Sequence, residues 1–211
     1  MFAKRAILFA GALLLSLQAA VAAESGFIDS PPQLAPDADR AGALIWNKPG
    51  IDPAVYKKVL IEPITIFVSP DSQYKGLNAS DLKALADGFN ETLIKTLGPE
   101  ITAASQAGPG VVYLRVALTN VKLAKEKRGL LGYTPVGLVV TAAKDLAGAR
   151  ISLTDAVLEV ETIDSVSGER IGVLIDKAPK ETSAKDLSWE AIDKTFAFYA
   201  ARLKARMLTK Q

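Results

Sequence analysis

The sequence predicts an α+β domain. It is a two-layer sandwich in which two helices pack on one face of a mixed or antiparallel sheet of about four strands. Three observations predict it. The elements read β-α-β-loop-β-β-α along the chain. Two segments carry apolar residues at spacings of three and four, one stripe each, so neither helix is stable without a surface to cover. A third segment alternates apolar and polar residues and supplies a sheet with one apolar face. The domain spans residues 57–211, after an export segment at 1–23 and a proline-rich strap at 24–56.

The strap holds Pro31, Pro32, Pro36, Pro49 and Pro53, which disfavours regular structure. Phe27, Leu34, Ile45 and Trp46 give it side chains to bury, so it is expected to lie on the domain. A free linker over residues 24–42 is the equal alternative. Lys57 to Val68 is rich in β-branched residues and bounded by Pro53 and Pro70, the pattern of a strand. Pro63 inside it lacks an N–H, which predicts a sheet edge or a bulge there.

Asn78 to Leu97 predicts a helix, capped by Asn78 or Ser80 and ended by Gly98-Pro99. Leu82, Leu85, Phe89, Leu93 and Leu97 form its apolar stripe, and Lys83, Asp87 and Glu91 face water. Val111 to Leu123 alternates, with Val112, Leu114, Val116 and Leu118 on one face and Tyr113, Arg115, Ala117 and Thr119 on the other. Arg150 to Asp164 and Glu169 to Lys177 form a hairpin through Ser165-Val166-Ser167-Gly168. Asp186 to Leu208 is the last helix, with Trp189, Ile192, Phe196, Tyr199 and Leu203 as its stripe. Lys204, Arg206 and Lys210 suit its negative end.

The first 23 residues have the three-part layout of a secretory signal: Lys4 and Arg5, an apolar run from Ala6 to Leu17, and small residues at Val21-Ala22-Ala23. Cleavage is expected after Ala23, with Ala22 as the near alternative. The apolar run is shorter than the roughly 20 residues of a spanning helix. The expected location is therefore the periplasm. Cleavage removes two basic and no acidic residues, leaving 23 Lys+Arg against 23 Asp+Glu and a net charge of zero. A neutral chain offers no electrostatic footprint for nucleic acid.

With no Cys, thiol catalysis, Cys-ligated metals and lipidation of the new N-terminus are excluded. With no His, the commonest general base and metal ligand is absent. No phosphate-binding loop, dinucleotide fingerprint or G-x-S-x-G occurs, and no cofactor is expected. Two stretches remain. Lys125 to Ala149 begins with basic residues and contains Gly129, Leu130, Leu131, Gly132, Tyr133 and Pro135, an apolar loop suited to a partner or an anionic membrane surface. The alternative is a crossover whose apolar part, including a short helix over Val136 to Leu146, completes the core. Glu159, Glu161 and Asp164 place carboxylates on or near one strand face. Such pairs can hydrolyse glycans or peptides or bind calcium, but alternation on a solvent-facing strand explains them more simply.

Tyr56 to Pro63 followed by Ile66-Phe67-Val68 resembles the opening strand of a bacterial envelope family known as domain of unknown function 3313. Arg128 to Gly137 and Glu159 to Arg170 are similar to that family too. The hairpin pattern also resembles those of several envelope lipoproteins, curli-secretion-type assembly proteins among them. The likeness covers most of the chain from about Gly26. It implies an envelope protein with no catalytic residue to carry over. Many relatives are lipoproteins, and this chain departs from them in lacking the lipidation cysteine. The expectation is a non-enzymatic envelope protein that binds another envelope protein or its own copies, through the sheet edge near Pro63 or the 129–135 loop, with peripheral membrane contact as a further option. A carboxylate hydrolase and a carrier of an apolar small molecule are the alternatives.

Overall fold

A single long strand, Val111–Lys125, sets the architecture. The computed structural model describes residues 25–72, 79–125, 149–153, 155–177 and 189–208. In chain order its elements are β1 (Ala35–Pro36), β2 (Leu44–Asn47), β3 (Lys58–Ile61), β4 (Thr65–Val68), α1 (Ala79–Leu97), β5 (Thr102–Ala103), β6 (Val111–Lys125), β7 (Ala149–Ser152), β8 (Val157–Asp164), β9 (Arg170–Lys177) and α2 (Trp189–Leu208). The fold is α+β with a mixed sheet. Its strand order is β1-β2-β9-β8-β6-β3-β5, with β4 and β7 also paired to β6.

Among the described residues nine strands replace the expected four or so, for three reasons. Pro63 divides Lys57–Val68 into β3 and β4, both parallel to β6 along the same edge. Arg150–Asp164 divides at 153–156 into β7 and β8, both antiparallel to β6 along its other edge. Three short strands add to the ends: Thr102–Ala103 joins β3, and β2 of the proline-rich segment pairs with β9 and carries β1. Proline lacks a ladder donor but not an acceptor, so the segment can supply strands at a sheet edge even though Pro36 lies in β1.

β6 bulges at Asn120. Ile66 opposes Leu118 and Val68 opposes Val121, leaving an extra residue on β6, and Asn120 takes φ 55°. The bulge moves the core-facing side chains from Val112, Leu114, Val116 and Leu118 to Val121 and Leu123. These residues form one core with Leu158 and Val160 of β8, Leu174 of β9, and the helical stripes Leu85, Phe89, Leu93, Leu97 and Ile192, Phe196, Tyr199, Leu203. The helices meet through Phe89 and Phe196, stacked at 4.7 Å. Tyr199 donates to the carbonyl of Ala156 at 2.9 Å, tying α2 to the β7–β8 connection.

The hairpin from β8 to β9 turns at Gly168, φ 72°. Asp164 Oδ1 accepts from the backbone N–H of Val166 and Ser167 at 3.1 and 2.7 Å, which holds the turn.

Candidate functional site

The sheet face away from the helices bears Ala117, Val157, Val173 and Ile175 beside Arg115, Thr119, Glu159 and Glu161. Register sets this mixture: Arg115 lies opposite Glu161 and Ala117 opposite Glu159. The start of the strap covers it. Phe27 and Ile28 pack on the apolar residues. The Phe27 ring meets Phe67 edge-on at 6.2 Å and lies 5.1 Å from the Arg115 guanidinium carbon. Ser25 Oγ donates to Glu159 Oε2 at 2.8 Å, and Arg170 donates to the carbonyls of Asp29 and Ser30 at 2.7 and 3.0 Å.

Glu159 and Glu161 are therefore 2% and 3% exposed, not solvent-facing as alternation alone suggested. Alternation told which residues share this face, but not that the strap lies on it. Glu161 is clasped by Arg115 and Arg170. Glu159 has hydroxyl partners instead, with Thr119 donating to Oε1 at 2.8 Å. Burial pushes its pKa above the usual carboxylate value, while the Ser25 and Thr119 hydroxyls pull the other way. Asp164 serves the hairpin turn and accepts from Tyr56 Oη at 2.9 Å. Among the described residues, no group of three or more acidic side chains converges to hold a metal ion.

Another buried carboxylate lies on the opposite face of the sheet. Asp176 of β9 is 0% exposed and takes two hydrogen bonds from Arg202 of α2, at 2.6 and 2.9 Å. The Arg202 guanidinium also lies over Phe198, 5.1 Å from the ring centroid. Burial raises the Asp176 pKa, and Arg202 opposes that.

A depression opens where α2 ends over the sheet. The core-facing positions shrink there: β8 runs Leu158, Val160, Thr162, and β9 runs Leu174 then Gly172. A Cβ on Gly172 would stand 2.6 Å from Thr162 Oγ1, so this close approach requires glycine. Ile51, Pro53 and Tyr56 form the opposite wall, and Leu203, Arg206 and Met207 close the side along α2. The space is about 690 Å³, counting the solvent at its open mouth. Among the described residues its lining includes Arg206 and Lys48 but no Asp or Glu. Lys48 pairs with Glu169, and Arg206 lies in the field of Asp37, Asp39 and Arg40. Burial lowers the Arg206 pKa.

Residues 23–203 match the family model described as a protein of unknown function, DUF3313. The chain belongs to the DUF3313 family. The uncharacterized lipoprotein YdcL of Escherichia coli K12 is 26% identical over 174 residues, 82% of this chain and 76% of that protein. The protein of the same name in Escherichia coli O157:H7 gives the same figures. Among solved structures, the PelC dodecamer from Paraburkholderia phytofirmans is similar with a TM-score of 0.36 and 11% identity, covering 74% of this chain and 96% of that one. A DUF4136 family protein from Bacteroides thetaiotaomicron has a TM-score of 0.34 and 10% identity, covering 79% and 96%.

Of the positions singled out from sequence in this DUF3313 chain, Ala23 and the loop residues Gly129, Leu130, Leu131, Gly132, Tyr133 and Pro135 lie outside the described residues. The depression was not foreseen. Its residues come from β2, the 48–56 segment, three sheet strands and α2, and no local pattern links them. Arg206 read only as a complement to the helix dipole.

Proposed function

We propose that this DUF3313 chain is an exported cell-envelope protein that works by binding and carries out no enzymatic step. The N-terminal export pattern and a relative named as a lipoprotein support the envelope, with cleavage after Ala23 and no lipid attached, since there is no Cys. Binding without catalysis fits the state of the carboxylates. A hydrolase needs two of them within reach of substrate, whereas Glu161 is clasped by two arginines and Glu159 lies beneath the strap.

The observation that carries the reading is the edge at β4. Among the described residues β4 pairs only with β6, so no second strand is laddered to it over Thr65–Val68. A strand laddered on one side is a template for strand addition by another envelope protein or a second copy. A photo-crosslinking residue placed at exposed Thr65 should capture a discrete partner or dimer in cells. The same residue at Lys83, exposed on α1, should not. Capture from Lys83 and none from Thr65 would reject the edge.

A second reading, a carrier of an apolar small molecule, is favoured by the depression beneath the end of α2.

A further inference from the structure

We propose that residues 25–30 form a clasp on the outer face of the sheet that lifts when Glu159 loses its proton. Charge comes first. Among the described residues Glu159 has no ion-pair partner, whereas Glu161, two positions along β8, is held by Arg115 and Arg170. The other charged groups around it are committed elsewhere or exposed. Arg115 of β6 is shared by Glu62 and Glu161, and Arg170 of β9 by Glu161 and the carbonyls of Asp29 and Ser30. Lys122, farther along β6, sits between Asp71 and Asp155. Lys177, opposite Val157 on β9, and Asp29 on the clasp are exposed. β4 brings Phe67 and no charged side chain.

The hydrogen bonds fit a protonated carboxyl. Thr119 Oγ1 lies 2.8 Å from Glu159 Oε1 and 3.3 Å from the carbonyl oxygen of Val157. One hydroxyl proton cannot serve both. With a proton on Oε1, Glu159 donates to Thr119 and Thr119 donates to Val157, so both contacts are bonds. Ser25 accepts from the Phe27 N–H at 3.1 Å and donates to Oε2 in either state. Once ionised, Glu159 is a charge beneath Phe27 and Ile28 with only two hydroxyls to offset it, and such burial is unfavourable. Lifting the clasp returns the carboxylate to water. The upward shift of the Glu159 pKa by burial agrees in sign.

The clasp is also built to move alone. The ladder to the rest of the sheet begins at Ala35, through β1 and β2. Between that ladder and the clasp stand Pro31 and Pro32, preceded by Ser30 at φ 45°, a left-handed backbone that a non-glycine residue rarely adopts. The two hydrogen bonds from Arg170 hold this turn, and release relaxes it. Lifting uncovers Ala117, Val157, Val173 and Ile175.

The protein contains no Cys, so one introduced thiol reports one position. Val173→Cys places it under the clasp, Val116→Cys in the core beneath the helices, and Lys83→Cys on exposed α1. Labelling with dithiodipyridine from about pH 4 to 8, divided by the Lys83→Cys rate, reads how often each site opens. Val173→Cys should label at least about ten-fold faster than Val116→Cys, because the clasp opens below the free energy of global unfolding. The docked state holds the Glu159 proton more tightly, so the normalised Val173→Cys rate should rise with pH, by at most about ten-fold per unit for one linked proton, and then level off. Adding Glu159→Gln should keep it at its low-pH level throughout, with Val116→Cys in the same background confirming the fold. Equal rates at the two buried thiols overturn the separate clasp. A Val173→Cys rate that is flat or falls with pH overturns the proton trigger. A rise that persists with Glu159→Gln overturns the assignment to Glu159.

Discussion

Replacing Phe27 with Ala tests whether the strap is part of the folded unit. The ring is 8% exposed, and three contributions can be assigned to it. Burying a phenylalanine side chain is worth about 1.5–3 kcal/mol. The edge contact with Phe67 adds about 0.5–1.5 kcal/mol. The Arg115 guanidinium over the ring adds about 0.5–1 kcal/mol, toward the low end because that side chain is partly exposed. The alanine retains a fraction of the burial, and a strap near the chain end relaxes more easily than a core strand. The expected net loss is therefore about 2–3 kcal/mol, below the cost of the same change in a closed core. Urea unfolding of the protein, wild type against variant, measures it. Hydrogen exchange should also show weakened protection around Ala117 and Ile175, which lie under Phe27. A loss within the roughly 0.5 kcal/mol of an ordinary surface change, with exchange unaltered, would refute the docking of the strap by this ring.

Two further outcomes follow from the buried carboxylates. Burial holds the Glu159 pKa above its unfolded value of 4.5, so the native state binds this proton more tightly and gains stability below that pH. The gain disappears as pH rises from 4.5 through the raised native pKa. Wild-type stability minus that of Glu159→Gln should therefore fall across that window and level off above it, and parallel unfolding curves from about pH 4 to 8 would contradict this. At the other side of the sheet, Asp176→Ala should cost about 3 kcal/mol because it strands Arg202 on a partly buried surface. The double change Asp176→Leu with Arg202→Met should cost less than that single one, measured by the same unfolding assay, and an additive double variant would count against a coupled pair.

How much of this is readable along the chain depends on how local the cause is. The helical stripes, the alternation of β6 and the β8–β9 hairpin are each written into neighbouring residues, because side-chain period and turn chemistry act over a few positions. Pro63 announced an edge or a bulge for the same reason, and its missing N–H marks where β3 gives way to β4. Gly168 stands where a positive φ closes the turn. The strands at the proline-rich end were hidden, since extended backbone looks alike whether or not β9 is alongside.

The site features have no such local cause. Glu159 and Glu161 sit at alternate positions that ordinarily face water, and only the return of Ser25 and Phe27 from more than a hundred residues away in sequence buries them. Asp176 reads as the polar end of a strand until α2 brings Arg202 against it. The depression takes its lining from β2, the 48–56 segment, three sheet strands and α2, which only the fold brings together. Period and propensity in the chain thus decided which elements form and which face of each is apolar. Which polar groups are covered, paired or left lining a hollow was decided by packing between distant segments, because burial is a property of what arrives from elsewhere in the fold.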